Sequence, residues 1–313
     1  MIDSAAIRRV ACVGTGLMGS GWVAHFLRHG LDVMAYDLDP KAESMMRKRI
    51  ELAWPIVERL GLAPGASMGR VTFTTDLKAA LDGAEFVQES AVENEALKID
   101  LLAKVDSLTA PGAVISSSSS GFLAARLRSK CKHGGRVIVG HPFNPPYLIP
   151  LVEIAGGDGV DQKAIDAAVA FYKRVNSRPV VLKREIDGYI ANRLQMAVLR
   201  EIYYMVGQGV ASVGDIDDAL TYGPGVRWAV KGPIQIFYLG APTPDRFGTF
   251  IDLMEHEMET FLAPPGPTLT PAIKKQVIEE ADALAAGKSH AQLLRERDEG
   301  VLAILKAIGV AKG

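Results

Sequence analysis

The sequence is poor in cysteine and has no long apolar run. Among its 313 residues only Cys12 and Cys131 carry thiols, and their spacing matches neither a metal site nor a disulfide framework. No stretch approaches the roughly 18 apolar residues that a membrane span needs, and the N-terminal MIDSAAIRR lacks the apolar core of a signal peptide. We therefore expect a cytoplasmic protein with reduced thiols, no bound metal and no membrane partner.

A strong charge of either sign is also absent. The 35 Lys and Arg residues nearly balance the 36 Asp and Glu residues, which leaves a net charge of −1. Proteins that bind nucleic acid carry a basic surface, and this balance does not supply one. The sequence therefore predicts no nucleic-acid partner and favours small molecules or other protein chains.

The first part of the chain alternates short β-rich apolar runs with amphipathic stretches, a pattern typical of βαβ units and a mainly parallel sheet. The predicted strands are residues 10–13, 33–36, 71–74, 86–87, 113–115, 137–139, 151–154 and 180–182. The predicted helices are residues 18–29, 40–60 with an interruption at Pro55, 96–108 and 164–175. We expect an α/β domain with a Rossmann-type sheet at residues 1–185.

Beyond that point the pattern becomes helical. Helical stretches are predicted at residues 188–207, 213–220, 247–261, 271–285 and 290–308, with few β-branched runs between them. The chain length favours about two domains. We therefore predict an all-α domain at residues 186–313.

A glycine-rich motif follows the first predicted strand. The letters GTGLMG match GxGxxG directly after Val13 and at the start of a helical pattern. In this context Gly14 allows the tight turn, Gly16 lets the backbone approach a pyrophosphate, and Gly19 permits close helix packing. A glycine-rich turn without a ligand is the alternative. The predicted dinucleotide-binding residues are Gly14, Thr15, Gly16, Leu17, Met18 and Gly19.

An acidic residue, Asp37, ends the second predicted strand. A carboxylate at this point can accept hydrogen bonds from the ribose hydroxyls of an adenosine. It would repel a 2′-phosphate, and the residues that follow, Leu38-Asp39-Pro40, include no Arg to bind one. The sequence therefore favours NAD over NADP.

The segment HPFNPPYLIPLVE places a histidine at the end of one apolar run and a glutamate inside the next. It predicts a strand, a proline-containing turn and a second strand, so that His141 and Glu153 can meet. Histidine can move a proton near neutral pH, and a buried carboxylate at its other nitrogen fixes its tautomer. The alternative is structural, because a lone histidine at a strand end is often only hydrogen-bonded and a buried glutamate can pair with a lysine.

These three features, together with the letters DGYIANRL at 187–194, resemble the 3-hydroxyacyl-CoA dehydrogenase family over about residues 7–233. The resemblance implies an NAD-binding α/β domain followed by a helical domain that forms a homodimer. It also implies oxidation of an L-3-hydroxyl to a ketone, with His141 as the base and Glu153 as its partner. By the same resemblance, Ser119 contacts both substrate and nicotinamide, and the further site residues are Glu93, Lys98, Asn144 and Asn192.

The residues themselves leave alternatives open at three of these positions. The five serines at 116–120 have the composition of a linker, yet they follow an apolar strand and precede a helical pattern, which indicates a strand-end loop. Asn192 can merely cap or bond the backbone of its helix. Lys98 can lie on the exposed face of an amphipathic helix.

Within the family, the segment at 41–71 is shorter than in members that act on acyl-CoA thioesters. The stretch at 54–67 and the letters FVQES and VGHPFNP are similar to the L-carnitine dehydrogenase branch. The letters NPPY and GPGVRWAVKGP are similar to a neighbouring branch, the L-gulonate dehydrogenases and lambda-crystallin. The resemblance thus implies a small free 3-hydroxy acid as substrate, first L-carnitine, with L-gulonate, 3-hydroxybutyryl-CoA or a crystallin-like role without catalysis as alternatives.

Carnitine requires aromatic faces for its quaternary ammonium and a cation for its carboxylate. The candidate aromatic residues are Phe143, Tyr147, Trp228, Phe237 and Tyr238, and the candidate cations are Arg193 and Arg227. Packing in a helical core or a dimer interface is the alternative role for Trp228 and Tyr238. The stretch KGPIQIFYLGAP departs from the carnitine branch, so the sequence does not decide which 3-hydroxy acid is the substrate.

Overall fold

The computed structural model describes residues 1, 3–266 and 268–311. Within these residues eight strands form one sheet in the order β3-β2-β1-β4-β5-β6-β7-β8. Their bounds are β1 Arg9–Val13, β2 Asp32–Tyr36, β3 Val71–Thr74, β4 Phe86–Glu89, β5 Val114–Ser117, β6 Val137–Pro142, β7 Leu151–Ala155 and β8 Arg178–Val181. Neighbouring strands are parallel except for β6 and β7, which are antiparallel. The predicted α/β class is confirmed.

Helices connect most of these strands. They are α1 Leu17–Arg28, α2 Ala42–Arg59, α3 Leu77–Leu81, α4 Glu95–Leu108, α5 Ala124–Leu127 and α6 Gln162–Arg174. The side chains of Asp76, Asn94 and Asp161 each accept an amide hydrogen at the start of a helix, which sets the first residues of α3, α4 and α6. Because helices cover both faces of the sheet, the inner strands β1, β4 and β5 are buried, whereas the edge strand β8 is largely exposed.

Two apolar clusters lie on the two faces of the sheet. Val10 and Cys12 belong to one cluster and Ala11 and Val13 to the other, because successive residues of a strand point to opposite faces. The rings of Phe86 and Phe171 stack in the first cluster with centroids 4.2 Å apart. Burial raises the pKa of the Cys12 thiol, so this residue acts as a small apolar side chain.

The chain divides into two compact units, Met1–Ile190 together with the residues from Asp298 onward, and Ala191–Arg297. The second unit contains α7 Ala191–Gly207, α8 Val213–Leu220, α9 Val226–Val230, α10 Pro233–Gly240, α11 Phe247–Phe261, α12 Pro271–Leu284 and the first turns of α13 His290–Ala307. Its apolar cluster includes Ile202, Val206, Val213 and Ile216. No strand occurs in the described residues of this unit.

The structure differs from several of the predicted domain and helix bounds. The predicted helical domain, 186–313, loses its last residues to the first unit, because Leu302 and Leu305 of α13 pack in one apolar cluster with Leu148. Helix α7 begins at Ala191 and not at 188, since Gly188 and Tyr189 have positive φ angles. Helix α2 continues through the predicted break at Pro55.

The described part of the chain contains no helix that is both long and apolar enough to cross a membrane.

Candidate active site

The site lies at the carboxyl ends of the parallel strands. Strand β1 is paired on one side with β2 and on the other with β4, so the chain direction around the sheet reverses between β1 and β4. Loops that leave neighbouring strands in opposite directions open a crevice at such a point, and ligands of α/β proteins bind there. The glycine motif follows β1, and the segment that contains Glu93 and Lys98 follows β4.

The three glycines of the motif have different surroundings. Gly14 has a φ of 91°, and a side chain there would place Cβ 2.7 Å from the backbone nitrogen of Ala91. At Gly19 a Cβ would lie 1.9 Å from the carbonyl oxygen of Gly14. At Gly16, by contrast, a Cβ would meet no described atom within 4 Å. Gly14 and Gly19 are therefore required by packing, whereas Gly16 faces open space.

The start of α1 offers unpaired amides beside that open space. Gly16 is the N-cap residue and supplies no side-chain hydrogen bond. Leu17, the first residue of the helix, is 59% exposed. The first amides of a helix have no partner within the helix, and their dipoles favour an anion. The geometry is thus suited to bind a pyrophosphate, as the sequence predicts.

Asp37 is held by the same loop. Its Oδ2 accepts hydrogen bonds from the amide and the hydroxyl of Thr15, both at 2.9 Å. Its Oδ1 accepts the amide of Asp39 at 3.3 Å. These bonds orient the carboxylate at the end of β2, where an adenosine ribose is recognised in this fold. Thr15 therefore acts through its side chain, whereas the GxGxxG pattern assigns no side-chain role to this position.

The serine segment is a strand-end loop and not a linker. Ser116 and Ser117 are the last residues of β5, and Ser119 is buried. The Ser119 hydroxyl donates to Glu93 Oε1 at 2.8 Å and accepts the amide of Phe122 at 3.1 Å. The amide of Ser120 also donates to Glu93 Oε1, at 2.8 Å. Glu93 thus holds the loop at the carboxyl end of β5.

Lys98 is buried in an ion pair and does not lie on the solvent-exposed face of its helix. Its Nζ lies 2.7 Å from Glu89 Oε1, 3.1 Å from the carbonyl oxygen of Ala91 and 3.4 Å from Glu93 Oε2. Glu89 is also buried, and it accepts a 2.5 Å hydrogen bond from Ser117. The pair ties the loops that follow β4 and β5 to each other. Glu89 and Ser117 were missed in the sequence, although a charged residue at the end of an apolar strand was a visible signal.

His141 and Glu153 come together through strand register. They lie directly opposite each other on β6 and β7, and His141 Nδ1 is 3.0 Å from Glu153 Oε2. Both side chains are buried, at 6% and 1% exposure. The second carboxylate oxygen, Oε1, accepts the amide of Ile190 at 2.9 Å. The imidazole is thereby fixed through Nδ1, and Nε2 is the ring nitrogen that can meet a ligand.

Two aromatic rings lie beside the imidazole. The ring centroid of Phe143 is 5.4 Å away in an edge-on arrangement, and that of Tyr189 is 5.2 Å away. Tyr189 was not predicted as a site residue. Asn144 follows Phe143 in the turn after β6 and is exposed.

The remaining predicted residues belong to the second unit. Asn192 and Arg193 are in the first turn of α7, Arg227 and Trp228 are in α9, and Phe237 and Tyr238 are in α10. Arg193 and Arg227 are exposed, and Trp228 and Tyr238 are 37% and 43% exposed. In the described residues no group of three or more His, Cys, Asp and Glu side chains could hold a metal ion.

Known families and structures match this arrangement. A model of the 3-hydroxyacyl-CoA dehydrogenase NAD binding domain matches residues 9–186, and one of the C-terminal domain of that family matches residues 188–242.

Relatives match over most of the chain. The L-carnitine dehydrogenase of Streptomyces griseus subsp. griseus is 45% identical over 307 residues, which are 97% of this chain and 90% of that protein. The L-carnitine dehydrogenase of a Pseudomonas species is 41% identical over 312 residues, 98% of this chain and 95% of that protein. The crystal structure of an NAD⁺-dependent dismutase, FHMPC 5-dehydrogenase, is 27% identical with a TM-score of 0.82, over 97% of this chain and 99% of that one.

Proposed function

The chain belongs to the 3-hydroxyacyl-CoA dehydrogenase family and is an NAD-dependent oxidoreductase, and from this premise we propose that it oxidises the 3-hydroxyl of L-carnitine to the ketone of 3-dehydrocarnitine. The buried His141–Glu153 pair is the observation that supports the reaction class. The substrate is supported by relatives such as that of Streptomyces coelicolor, an L-carnitine dehydrogenase that is 45% identical over 97% of this chain. The two free thiols suit a reducing compartment, so the proposed location is the cytoplasm.

The glycine loop and its surroundings fit NAD. Open space at Gly16 leaves room for a pyrophosphate, and the amides at the start of α1 suit its charge. Asp37, held by Thr15, suits two free ribose hydroxyls and disfavours a 2′-phosphate. We assign Glu93, Lys98 and Asn144 to the nicotinamide side of the site.

His141 is the proposed base. When it is bound, NAD supplies a hydride acceptor for the carbon that carries the substrate hydroxyl. His141 Nε2 takes the hydroxyl proton as the carbon–oxygen double bond forms. The Glu153 carboxylate keeps the proton of neutral imidazole on Nδ1 and stabilises the imidazolium that results. The carboxylate orients the base and does not itself need to accept the proton.

Ser119 and Asn192 are the proposed donors to the substrate oxygen. Because the single hydroxyl hydrogen of Ser119 is directed at Glu93, the hydroxyl has to turn from that carboxylate to donate to a substrate. Its loop is held independently by the Ser120 amide, so this rotation does not release the loop. The assignment of Asn192 rests on its place in the letters DGYIANRL alone.

For the two ends of carnitine we assign an aromatic contact and a cation. Phe143 supports the first, since its ring lies beside the base and an aromatic face attracts a quaternary ammonium. Arg193 and Arg227 are exposed cations that suit a carboxylate, and Trp228 and Tyr238 are further aromatic candidates.

A second copy of this chain is the proposed partner. Helices of the second unit leave several large apolar side chains exposed, among them Val230 at 67%, Ile234 at 72% and Leu239 at 64%. Apolar surface of this kind is a mark of an interface. The near-zero net charge creates little repulsion between two copies. Light scattering after size exclusion should give twice the mass of 33.6 kDa, and Ile234→Asp should shift the population toward monomer.

A substrate panel tests the activity. NADH formation is measured with L-carnitine, D-carnitine, L-gulonate, L-3-hydroxybutyrate and its CoA thioester at alkaline pH. We expect the highest kcat/KM with L-carnitine. A response to the thioester alone would contradict the proposed substrate, and no response to any 3-hydroxy acid would contradict the enzymatic role and favour a crystallin-like one.

The role of His141 is tested separately. His141→Gln should lower kcat by about 10²- to 10⁴-fold, the usual contribution of a general base, while NAD affinity measured by calorimetry stays close to that of the wild type. His133→Gln, at an exposed histidine, is the matched control. Unchanged turnover in His141→Gln would exclude this residue as the base.

A further inference from the structure

Tyr189 is a buried aromatic residue in an unusual backbone conformation. It is 0% exposed, and its φ of 52° lies in the left-handed region, directly after Gly188 with a φ of 74°. A bulky residue seldom adopts this conformation, because its Cβ crowds the backbone. Strained residues persist where the surroundings hold them, and they cluster at functional sites. The position of this side chain therefore requires an explanation beyond the turn itself.

The turn that carries Tyr189 contacts both members of the His141–Glu153 pair. The tyrosine ring lies against the imidazole with a centroid distance of 5.2 Å and an interplanar angle of 43°. The next residue, Ile190, donates its amide to Glu153 Oε1 at 2.9 Å. Glu153 Oε2 is bonded to the imidazole, so both oxygens of this carboxylate are held.

The hydroxyl of Tyr189 reaches the serine loop. It donates to the carbonyl oxygen of Phe122 at 2.6 Å and also interacts with the Ser119 side chain. Ser119 in turn accepts the amide of Phe122 at 3.1 Å. Burial is the largest cause that raises the pKa of Tyr189, and the nearby carboxylates of Glu93 and Glu185 raise it further. The hydroxyl therefore stays protonated and remains a donor.

We propose that Tyr189 is a positioning residue that fixes the distance between the base, His141, and the Ser119 loop. The inference rests on the proposed function and extends it to a residue that touches neither cofactor nor substrate in the proposed mechanism. The ring supports the imidazole from one side while the hydroxyl anchors the loop on the other. A displacement of about 1 Å between reacting groups can lower the rate by up to about 10²-fold. The contacts of Tyr189 with His141 and with the Ser119 loop should therefore affect turnover.

Two substitutions separate the roles of hydroxyl and ring. Tyr189→Phe keeps the ring and removes the anchor of the loop. We expect kcat to fall about tenfold, the KM for NAD to change less than about twofold, and the primary isotope effect with 3-deuterated substrate to rise. Tyr189→Leu removes the ring as well. The imidazole then loses its aromatic neighbour as well, and kcat should fall further than in Tyr189→Phe, with a larger isotope effect.

Tyr172→Phe is the matched control for the loss of a buried hydroxyl. Tyr172 is also 0% exposed, and its hydroxyl bonds Ser116 at 2.7 Å and Gln88 at 2.6 Å. If it is structural only, Tyr172→Phe should lower the melting temperature without changing kcat or the isotope effect. Equal kinetic effects in Tyr172→Phe and Tyr189→Phe would overturn the inference.

The wild type and His141→Gln, measured in parallel, separate failure of the inference from failure of the proposed function. If His141→Gln turns over normally, the proposed function fails. If His141→Gln is inactive but both Tyr189 variants keep the kcat and the isotope effect of the wild type, only the role of Tyr189 is refuted.

Discussion

His141 and Glu153 are directly opposite residues of two antiparallel strands, with 3.0 Å between Nδ1 and Oε2. A single antiparallel pairing in an otherwise parallel sheet creates this contact, because the chain returns on itself after the turn. Side chains opposite each other on antiparallel strands share one face of the sheet. Strand register therefore brings the carboxylate to the imidazole that it orients.

Removal of the carboxylate charge tests this relationship. Glu153→Gln keeps the size of the side chain, but it no longer stabilises an imidazolium and can impose the wrong tautomer. We expect kcat to fall by about 10²- to 10⁴-fold with little change in the affinity for NAD. Glu58→Gln, at an exposed glutamate, serves as control. A loss of less than twofold in kcat would show that the carboxylate has no role in turnover.

The sequence was sufficient to predict the sheet and the meeting of this pair, because short β-rich apolar runs and a proline-containing turn are local signals. The burial of Lys98 was not predictable in the same way. Its partner Glu89 is nine residues away on another element, and only the packed structure brings the two charges together. Tyr189 was hidden for the same reason, since its contacts with His141 and Phe122 are long-range in the chain.

The end of the helical domain also depends on tertiary packing. Helical periodicity continues through α13, so the sequence contains no boundary at Asp298. Leu302 and Leu305 nevertheless pack in one cluster with Ile56 and Leu60 of the first unit. Long-range apolar contacts of this kind cannot be deduced from local pattern.

Substitution by alanine should have different effects on stability at two glycines of the nucleotide loop, Gly16 and Gly19. Gly16→Ala adds a methyl group that meets no described atom, so the melting temperature of the free protein should be nearly unchanged. The same methyl group occupies the space proposed for the pyrophosphate, and the affinity for NAD should fall at least about tenfold, or ~1.4 kcal/mol. Gly19→Ala places Cβ 1.9 Å from a carbonyl oxygen and should also destabilise the fold, by about 1–3 kcal/mol. Calorimetric binding and thermal unfolding measure both effects, and equal Tm losses would contradict the distinction.

Cofactor preference should depend on Asp37. Asp37→Ser removes the charge that disfavours a 2′-phosphate and leaves a hydroxyl that can still bond a ribose or a phosphate. We expect the ratio of kcat/KM for NAD to that for NADP to fall by about 10- to 100-fold, or ~1.4–2.7 kcal/mol. Asp39→Asn, two residues away and exposed, is the control. An unchanged ratio in Asp37→Ser would exclude this carboxylate as the determinant.

Removal of one partner of the buried Glu89–Lys98 pair should lower the free energy of unfolding. Lys98→Met leaves the Glu89 carboxylate buried at 0% exposure without its cation. We expect a loss of about 3–5 kcal/mol in the free energy of unfolding, because an unpaired buried charge is strongly unfavourable. The double variant Lys98→Met, Glu89→Gln should recover part of that loss. Denaturant titrations of the wild type, Lys98→Met, Glu89→Gln and the double variant give the coupling free energy, and strict additivity would show that the two charges do not interact.

His29 should make the fold sensitive to acid. Burial lowers the pKa of His29 to about 3, with Arg28 and Arg174 contributing, so the folded protein keeps this imidazole neutral. The unfolded chain binds a proton below about pH 6.5. The unfolded state then binds more protons than the folded state. The contribution of neutral His29 to the free energy of unfolding is therefore fully present above about pH 6.5 and is lost as the pH falls toward 3.

The size of this effect can be isolated by substitution. Between pH 6 and 4 the wild type should lose about 2 kcal/mol more unfolding free energy than His29→Gln. His133→Gln, at an exposed histidine, should retain the acid sensitivity of the wild type. Urea titrations at several pH values measure the difference. Parallel pH curves for the wild type and His29→Gln would show that His29 is already protonated in the folded protein, or that its imidazole is solvated there.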